Sequence, residues 1–569
     1  MPATHGSSHR SSSRKFLPEH WTNGASAGDT ERSHPFFMKP SALSETDATG
    51  RWPSQVRYIL GNEGAERFSY YGMKGILAAY LTTVLLMTKD QASSVIHLFG
   101  FVNYFMPVIG AWISDRFWGR YRTILWISLS YCLGHAVLAC TDLTESVDAR
   151  TMLLYAGLGI IAFGSGGIKP CVSAFMGDQF GPGQRSLLNK AYAAFYWMIN
   201  LGSTLAFLII PWVRDKHGYS WAFGIPGIAM GIATLIFWLG TPKYRHVEPT
   251  GDPAWRTKLA WLLSVLAAVT LVVVVHLKAP QIYDSVLWST LGAFAVAAAL
   301  WTRGLVQRVD AAREPQQPSA FSVWWYGVMK WLGGGFRNFS GPIHAKFTAL
   351  GADEGLAYGR ILSVFAMVPI FWALFDQTFS TWVLQGGQMV KYRLGSYEIG
   401  AEQMLSANPI MVLIMVPFTT FVLYPMLGRL ATPLRRMGTG MVLAALSFVF
   451  VAWLQKRIEG GEQLSILWQL LPYLVITMAE VLISTTGLEF AFTQAPAAMK
   501  STITGYWQLT VAVGNLVVVF ITAALGGGHG DESVTSGRFM LYAAITAVVA
   551  VIFSVIAAFY RYREQAAEA

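Results

Sequence analysis

Cysteine occurs only 3 times in 569 residues, which excludes a disulfide framework. Cys132 and Cys140 fall about 12 Å apart on one expected helix, too far to bridge within it. Cys171 reads as ordinary packing. Charge is equally thin: Asp, Glu, Lys and Arg together make 13% of the chain. A soluble protein of this length needs more polar surface. Acidic residues number 32 against 42 basic ones, for a net charge of +10. The excess forms no basic patch, so no nucleic-acid partner is expected. No nucleophile, base and oxyanion donor occur together. The stretch GSGGIK lacks the strand–helix context and the Lys-Ser/Thr ending of a phosphate loop. Neither an enzyme activity nor a metal site is expected. Residues 1–50 lack an apolar core and read as a disordered cytoplasmic tail, not a signal peptide.

Long apolar runs fill the chain instead. Apolar residues make 53% of it, and the mean hydropathy is +0.42. Runs able to cross roughly 30 Å of hydrocarbon fall near 57–87, 92–114, 121–141, 151–178, 188–212, 221–240, 256–277, 285–305, 357–385, 407–428, 436–455, 466–494, 501–526 and 536–561. The expectation is an all-α membrane protein of about fourteen transmembrane helices. Gaps such as DRFWGRYR and GRLATPLRR are rich in cations, whereas TDLTESVDAR and GGGHGDESVTSGR are poorer. The rich set belongs inside, which puts both termini in the cytoplasm. The runs at 256–277 and 285–305 carry few polar residues and read as an inserted hairpin. The expected order is an N-terminal six-helix bundle (51–245), an inserted helix pair (246–310), a cytoplasmic connector (311–356) and a C-terminal six-helix bundle (357–565). Two bundles around a central pathway are the architecture of many secondary transporters. A twelve-helix channel shares that topology.

Several ions sit inside these runs, where burial is costly unless they face a wet cavity and pair. On the first helix, Glu63, Glu66, Arg67, Tyr70, Tyr71 and Lys74 recur at i, i+3, i+4, i+7, i+8 and i+11, forming one stripe about 16 Å long. Lys169 lies in FGSGGIKPCVSAF, Asp376 in PIFWALFDQTFSTW and Glu489 in TTGLEFAFTQAP. At 1.5 Å per residue, Lys74 and Asp376 fall in the outer half of the membrane, and Lys169 and Glu489 in the inner half. The expectation is an outer pair, Lys74 with Asp376, and an inner pair, Lys169 with Glu489. Each would join one six-helix half to the other, as an alternating gate requires.

Taken together, several stretches resemble one family: ExxERFxYYG (Glu63 to Gly72), GAWISDRFWGRYRTI (Gly110 to Ile124), GSGGIKPCVSAFMGDQF (Gly164 to Phe180), FYWMINLGS (Phe195 to Ser203), FWALFDQ (Phe371 to Gln377) and GLEFAFTQAPAAMKS (Gly487 to Ser501). They resemble the proton-coupled oligopeptide transporters of the major facilitator superfamily, and the inserted helix pair resembles bacterial members. The resemblance implies a major facilitator fold of two six-helix bundles plus two inserted helices. It implies import of di- and tripeptides across the cell (inner) membrane by alternating access, with protons as coupling ion and no other cofactor. It assigns proton coupling to Glu63, Glu66, Arg67, Lys169 and Glu489. It assigns peptide binding to Arg67, Tyr70, Tyr71, Tyr104, Lys169, Asn200, Trp372, Gln377, Asn408, Glu489 and Trp507. A dipeptide zwitterion separates its charges by roughly 6–7 Å. Arg67 and Lys169 on one side, with Glu489 and two amides on the other, suit that dipole. Broad aromatic walls suit variable side chains.

Some residues depart from this pattern. Arg360 matches a cation whose acid partner in some animal members appears here as Thr420, so that pair is absent. His97 matches a histidine implicated in animal members, although a lone helical His is more often a hydrogen-bonded packing residue. Glu480 also matches a family acid. It lies nine positions from Glu489, on the opposite helix face, and is given no transport role. Asp115, Arg116, Gly119 and Arg120 match the superfamily's cytoplasmic loop latch. Two alternatives stay open: a proton-coupled carrier of nitrate or another small solute, and a non-accumulating peptide channel or receptor.

Overall fold

A computed structural model describes residues 52–181, 184–249, 360–494, 500–526 and 532–560. The expected tail, the connector and all but the first few residues of the inserted pair lie outside this set. The first six helices are α1 (Val56–Thr83), α2 (Lys89–Ile113), α3 (Gly119–Ala139), α4 (Val147–Asp178), α5 (Arg185–His217) and α6 (Tyr219–Leu239). The later ones are α7 (Arg360–Gly386), α8 (Gln403–Leu427), α9 (Pro433–Glu459), α10 (Leu470–Gln494), α11 (Lys500–Gly526) and α12 (Ser536–Phe559). Apart from α1, each of these falls in a segment long and apolar enough to cross a membrane. The 28 residues of α1 suffice in length, but its charge stripe lowers its hydropathy. The membrane side on which α1 begins is called inner, following the charge bias.

Local chemistry sets the helix ends and breaks. A reciprocal cap between Thr88 and Gln91 starts α2, with Asp90 in the first turn where the helix dipole favours an acid. The Ser146 hydroxyl caps α4. Gly119, at φ +72°, turns the chain between α2 and α3 in a conformation that L side chains rarely adopt. α7 is discontinuous: helix Val368–Phe375 gives way to a 3₁₀ turn, Asp376–Phe379, before helix Thr381–Gly386. The break carries Asp376 and Gln377 into the buried interior. Such breaks are tolerated at membrane depth where protein or a cavity surrounds them.

Packing builds two halves. α1 lies against α5 and α6, and α3 against α4 and α6. In the second half, α9 lies against α10 and α12, and α7 against α11. Contacts of α2 with α11 and of α5 with α8 join them. A Cβ on Gly110 of α2 would stand 2.0 Å from the Gly167 carbonyl oxygen of α4. Only small residues allow this approach, and it sets α4, which carries Lys169, against α2, which carries Tyr104. After α7, strands β1 (Tyr392–Leu394) and β2 (Tyr397–Ile399) form an antiparallel hairpin at the outer end.

Candidate transport site

The charge stripe of α1 is compact and largely self-compensated. Arg67 Nε lies 2.7 Å from Glu63 Oε1 and 2.8 Å from Glu66 Oε2, with all three residues buried. The Ser165 hydroxyl of α4 donates to Glu66 Oε1 at 3.3 Å. One turn on, Tyr70 and Tyr104 hold the Lys169 ammonium between them, 4.5 and 4.3 Å from their ring centres. Asn103 Nδ2 donates to the Tyr70 hydroxyl at 3.1 Å. Tyr71 packs its ring on Phe207 and Phe379. The cations Arg67 and Lys169 thus lie close together on the N-terminal half.

Higher up, Lys74 Nζ lies 3.1 Å from Asp376 Oδ1, with both side chains almost fully buried. This is the outer pair expected from helix depth. Phe379 covers the same ammonium at 3.7 Å. Asn515 Nδ2 donates to the other Asp376 oxygen at 2.6 Å, and Asn515 Oδ1 lies 2.8 Å from His97 Nδ1. His97 Nε2 lies 2.9 Å from Ser380 Oγ. Both nitrogens of His97 therefore engage the opposite half. Other bonds between the halves gather at this end. Ser533 donates its backbone N–H to Asp90 at 2.6 Å, Arg214 pairs with Glu402, and Tyr397 donates to the Leu208 carbonyl at 2.7 Å.

The expected inner pair is not formed. Glu489 is half-exposed, and its carboxylate lies 3.4 Å from Arg436 Nη1 on the neighbouring α9. Arg436 stacks on Tyr424 at 3.8 Å. The reason is helical azimuth: Glu489 matches Lys169 in depth, but it sits on the outward face of α10. Glu480, nine residues earlier, takes the inward face. Asn408 Nδ2 of α8 donates to Glu480 Oε2 at 2.7 Å and to Thr477 at 3.1 Å. Next to Glu480 on α10, Val481 packs with Val412 and Met415 against Tyr196 of α5. Glu480 thus looks across the centre toward the N-terminal half. The sequence reading notes Glu480 as a family acid but gives it no transport role. An acid amid VITMAEVLIS, far from either helix end, was the available signal.

The remaining candidates line the same interior. Asn200 Nδ2 donates to its own helix at the Tyr196 carbonyl, 2.9 Å away. Gln377 is buried, donating to the Ala373 carbonyl at 3.0 Å and accepting from Thr381 at 3.1 Å. Trp372 and Trp507 meet edge to face at 6.4 Å. Trp507 lies flat over Gly487, where a Cβ would come within 2.0 Å of the indole. At the inner end Arg120 Nη1 lies 2.5 Å from Asp178 at the foot of α4, and Arg120 Nε 3.8 Å from Asp115, a latch joining α4 to the α2–α3 loop. Arg360 is exposed at the start of α7.

Two helical bundles with buried charges facing each other across their interface define a membrane transporter of the major facilitator type. The sequence model of the POT family matches residues 121–322 and 342–527, and the chain belongs to that family. It is 30% identical over 439 residues to human solute carrier family 15 member 1, covering 73% of this chain and 54% of that one. It is 32% identical over 418 residues to peptide transporter family 1 of Drosophila melanogaster, covering 72% and 48%. The chain therefore spans about half the length of the curated relatives it matches. Among solved structures, an auto-inhibited POT family peptide transporter is 36% identical, with a TM-score of 0.71 over 91% of this chain and 99% of that one. The POT family transporter PepTSo is also 36% identical, with a TM-score of 0.69 over 89% and 98%. A peptide transporter bound to alafosfalin, 22% identical with a TM-score of 0.70 over 89% and 94%, shares the fold. The chain is an integral membrane protein of a transporter family, not an enzyme.

Proposed function

We propose that this protein is a proton-coupled symporter that imports di- and tripeptides by alternating access, in the cell (inner) membrane, with both termini cytoplasmic. Protons are the coupling ion, and no other cofactor is needed. One observation carries the reading. The N-terminal half carries Arg67 and Lys169, the C-terminal half carries Glu480 and Asn408, and Tyr71 of α1 lies within electrostatic reach of both Arg67 and Glu480. A peptide carboxylate suits the first pair and its amine the second. Tyr70, Tyr71, Tyr104, Asn200, Trp372, Gln377 and Trp507 line the space for its side chains. Lys74–Asp376 is the outer gate, closed in this conformation together with Asp90–Ser533 and Arg214–Glu402. Glu489 keeps no place in the peptide site; its bond to Arg436 holds the inner end of α10 to α9.

Protonation of the carboxylates on α1 is the coupling step. Glu63 and Glu66 share Arg67, and a proton on either leaves the guanidinium a single carboxylate partner and so charge and donors to offer the peptide. One inward charge is worth about 2.3 kcal/mol per 100 mV, or roughly 40-fold accumulation. The test is uptake of labelled dialanine by proteoliposomes, with and without an imposed inward proton gradient. The expected result is accumulation above the outside concentration only with the gradient, competed by tripeptides and not by free alanine. Equilibration without accumulation would leave a channel, and competition by nitrate would leave an anion carrier.

A further inference from the structure

The N-terminal half contains a second polar column, on the side of Glu66 away from the peptide site. Asn62, Glu66 and Ser69 occupy i, i+4 and i+7 of α1, and Ser128, Tyr131 and His135 occupy i, i+3 and i+7 of α3. All six are buried, with relative exposures of 0 to 1%. Both helices run from the inner end outward, so the two sets follow the same order across the membrane. Ser69 Oγ lies 2.9 Å from His135 Nε2, and the His135 ring stacks on Tyr131 at 5.2 Å. The Tyr131 hydroxyl lies beside Ser165 and Ser69. Ser165 in turn donates to Glu66.

This column holds more polar atoms than its protein partners satisfy. Neither end of the Asn62 amide has a protein partner, and neither has the Ser128 hydroxyl. Groups of this kind are costly to bury dry, and ordered internal water is what commonly satisfies them. Aromatic clusters close both ends. Tyr121, Phe175, Phe237 and Tyr244 pack at the inner end, and Tyr80, Tyr219 and Phe223 at the outer.

We propose that the N-terminal bundle encloses water between α1, α3 and α4, and that this water with Ser165, Tyr131, Ser69 and His135 positions Glu66 for proton coupling. These are positioning residues, since none is placed at the peptide. The charged and titratable groups facing Glu66 are Glu63, Arg67 and Tyr71 from its own helix, Tyr131 from α3 and Lys169 from α4. His135 faces Ser69, Tyr131 and the Phe223 backbone of α6. The coupling role rests on the symport reading above; the enclosed water does not.

Two measurements test it. X-ray radiolytic footprinting of the full chain in detergent oxidises side chains beside bound water. Tyr131 is expected to be oxidised at least about fivefold faster than Tyr473, which is as deeply buried but packed against Trp382. Equal rates would overturn the enclosed water. Ser165→Ala removes the hydroxyl that donates to Glu66, and Tyr131→Phe removes the hydroxyl beside Ser165. Each is expected to move the pH midpoint of gradient-driven uptake upward by about half a unit or more, with peptide competition constants unchanged. A wild-type midpoint in both variants would overturn the positioning role, while failure of the wild type to accumulate peptide would count against the symport reading alone. Ser69→Ala removes the link to His135 and a neighbour of the Tyr131 hydroxyl, but no contact of Glu66 itself, and is expected to give a smaller shift in the same direction.

Discussion

The two halves hold their buried charge in different ways. In the N-terminal half, α1 closes its own accounts: Glu63 and Glu66 bracket Arg67 within two turns of one helix. In the C-terminal half, Glu480 has a neutral amide and a hydroxyl beside it, and the cations lie across the interface. A helix that compensates itself survives any movement of its surroundings. An acid left with neutral neighbours gains most from a mobile cation, and a peptide amine is one. Under the proposed symport, the asymmetry would separate a fixed coupling centre from a site waiting for substrate.

Breaking that contrast gives the largest expected effect. Glu480→Gln keeps the Asn408 contact but removes the charge, and gradient-driven dialanine uptake should fall at least about 100-fold. Glu489→Gln, which touches a half-exposed pair, should stay within about threefold of wild type. The reverse ranking in proteoliposome uptake would return the amine site to Glu489. Lys169→Ala should remove uphill uptake, by at least about tenfold, while leaving measurable exchange of peptide across the membrane. Wild-type accumulation by that variant would deny Lys169 any part in coupling.

The outer end offers a smaller, reversible test. Lys74→Asp alone places two acids in a buried site and should abolish uptake, whereas the swap Lys74→Asp with Asp376→Lys should recover at least about a tenth of it. No recovery would mean that surrounding groups, Asn515 and Phe379 among them, read the orientation of the pair and not its existence. The smallest effect lies outside the membrane, on the hairpin. Arg393, hydrogen-bonded to Glu398, holds that carboxyl below its ordinary range. Its contribution to the hairpin is therefore present above that range and lost as pH falls through the lowered value. The protection of amides 392–399, taken relative to the intrinsic exchange rate at each pH, should fall at acid pH in the wild type and lose this dependence in Glu398→Gln.

Much of this could be read along the chain. The stripe on α1 follows from spacing, because i, i+3, i+4 and i+7 share a face in any α-helix. The Lys74–Asp376 pair follows from depth, because charges that deep need partners. Depth failed at Glu489. Distance along a helix is set by residue count, but the direction a face points is set by the neighbours against which the helix packs. Glu480 and Glu489 are half a rotation apart, so one had to face inward, and helix periodicity alone is indifferent to which. His97 shows the same limit: its partners Asn515 and Ser380 are 418 and 283 residues away.

Apolar run length, cation bias and helical spacing determined by themselves that this chain crosses a membrane many times and carries a charged stripe into it. Those properties are local, since oil tolerates little but apolar helices. Which acid meets the centre, which pair is closed and what surrounds each ion were decided only when the helices packed. Rotation and contact belong to pairs of helices, not to any single one.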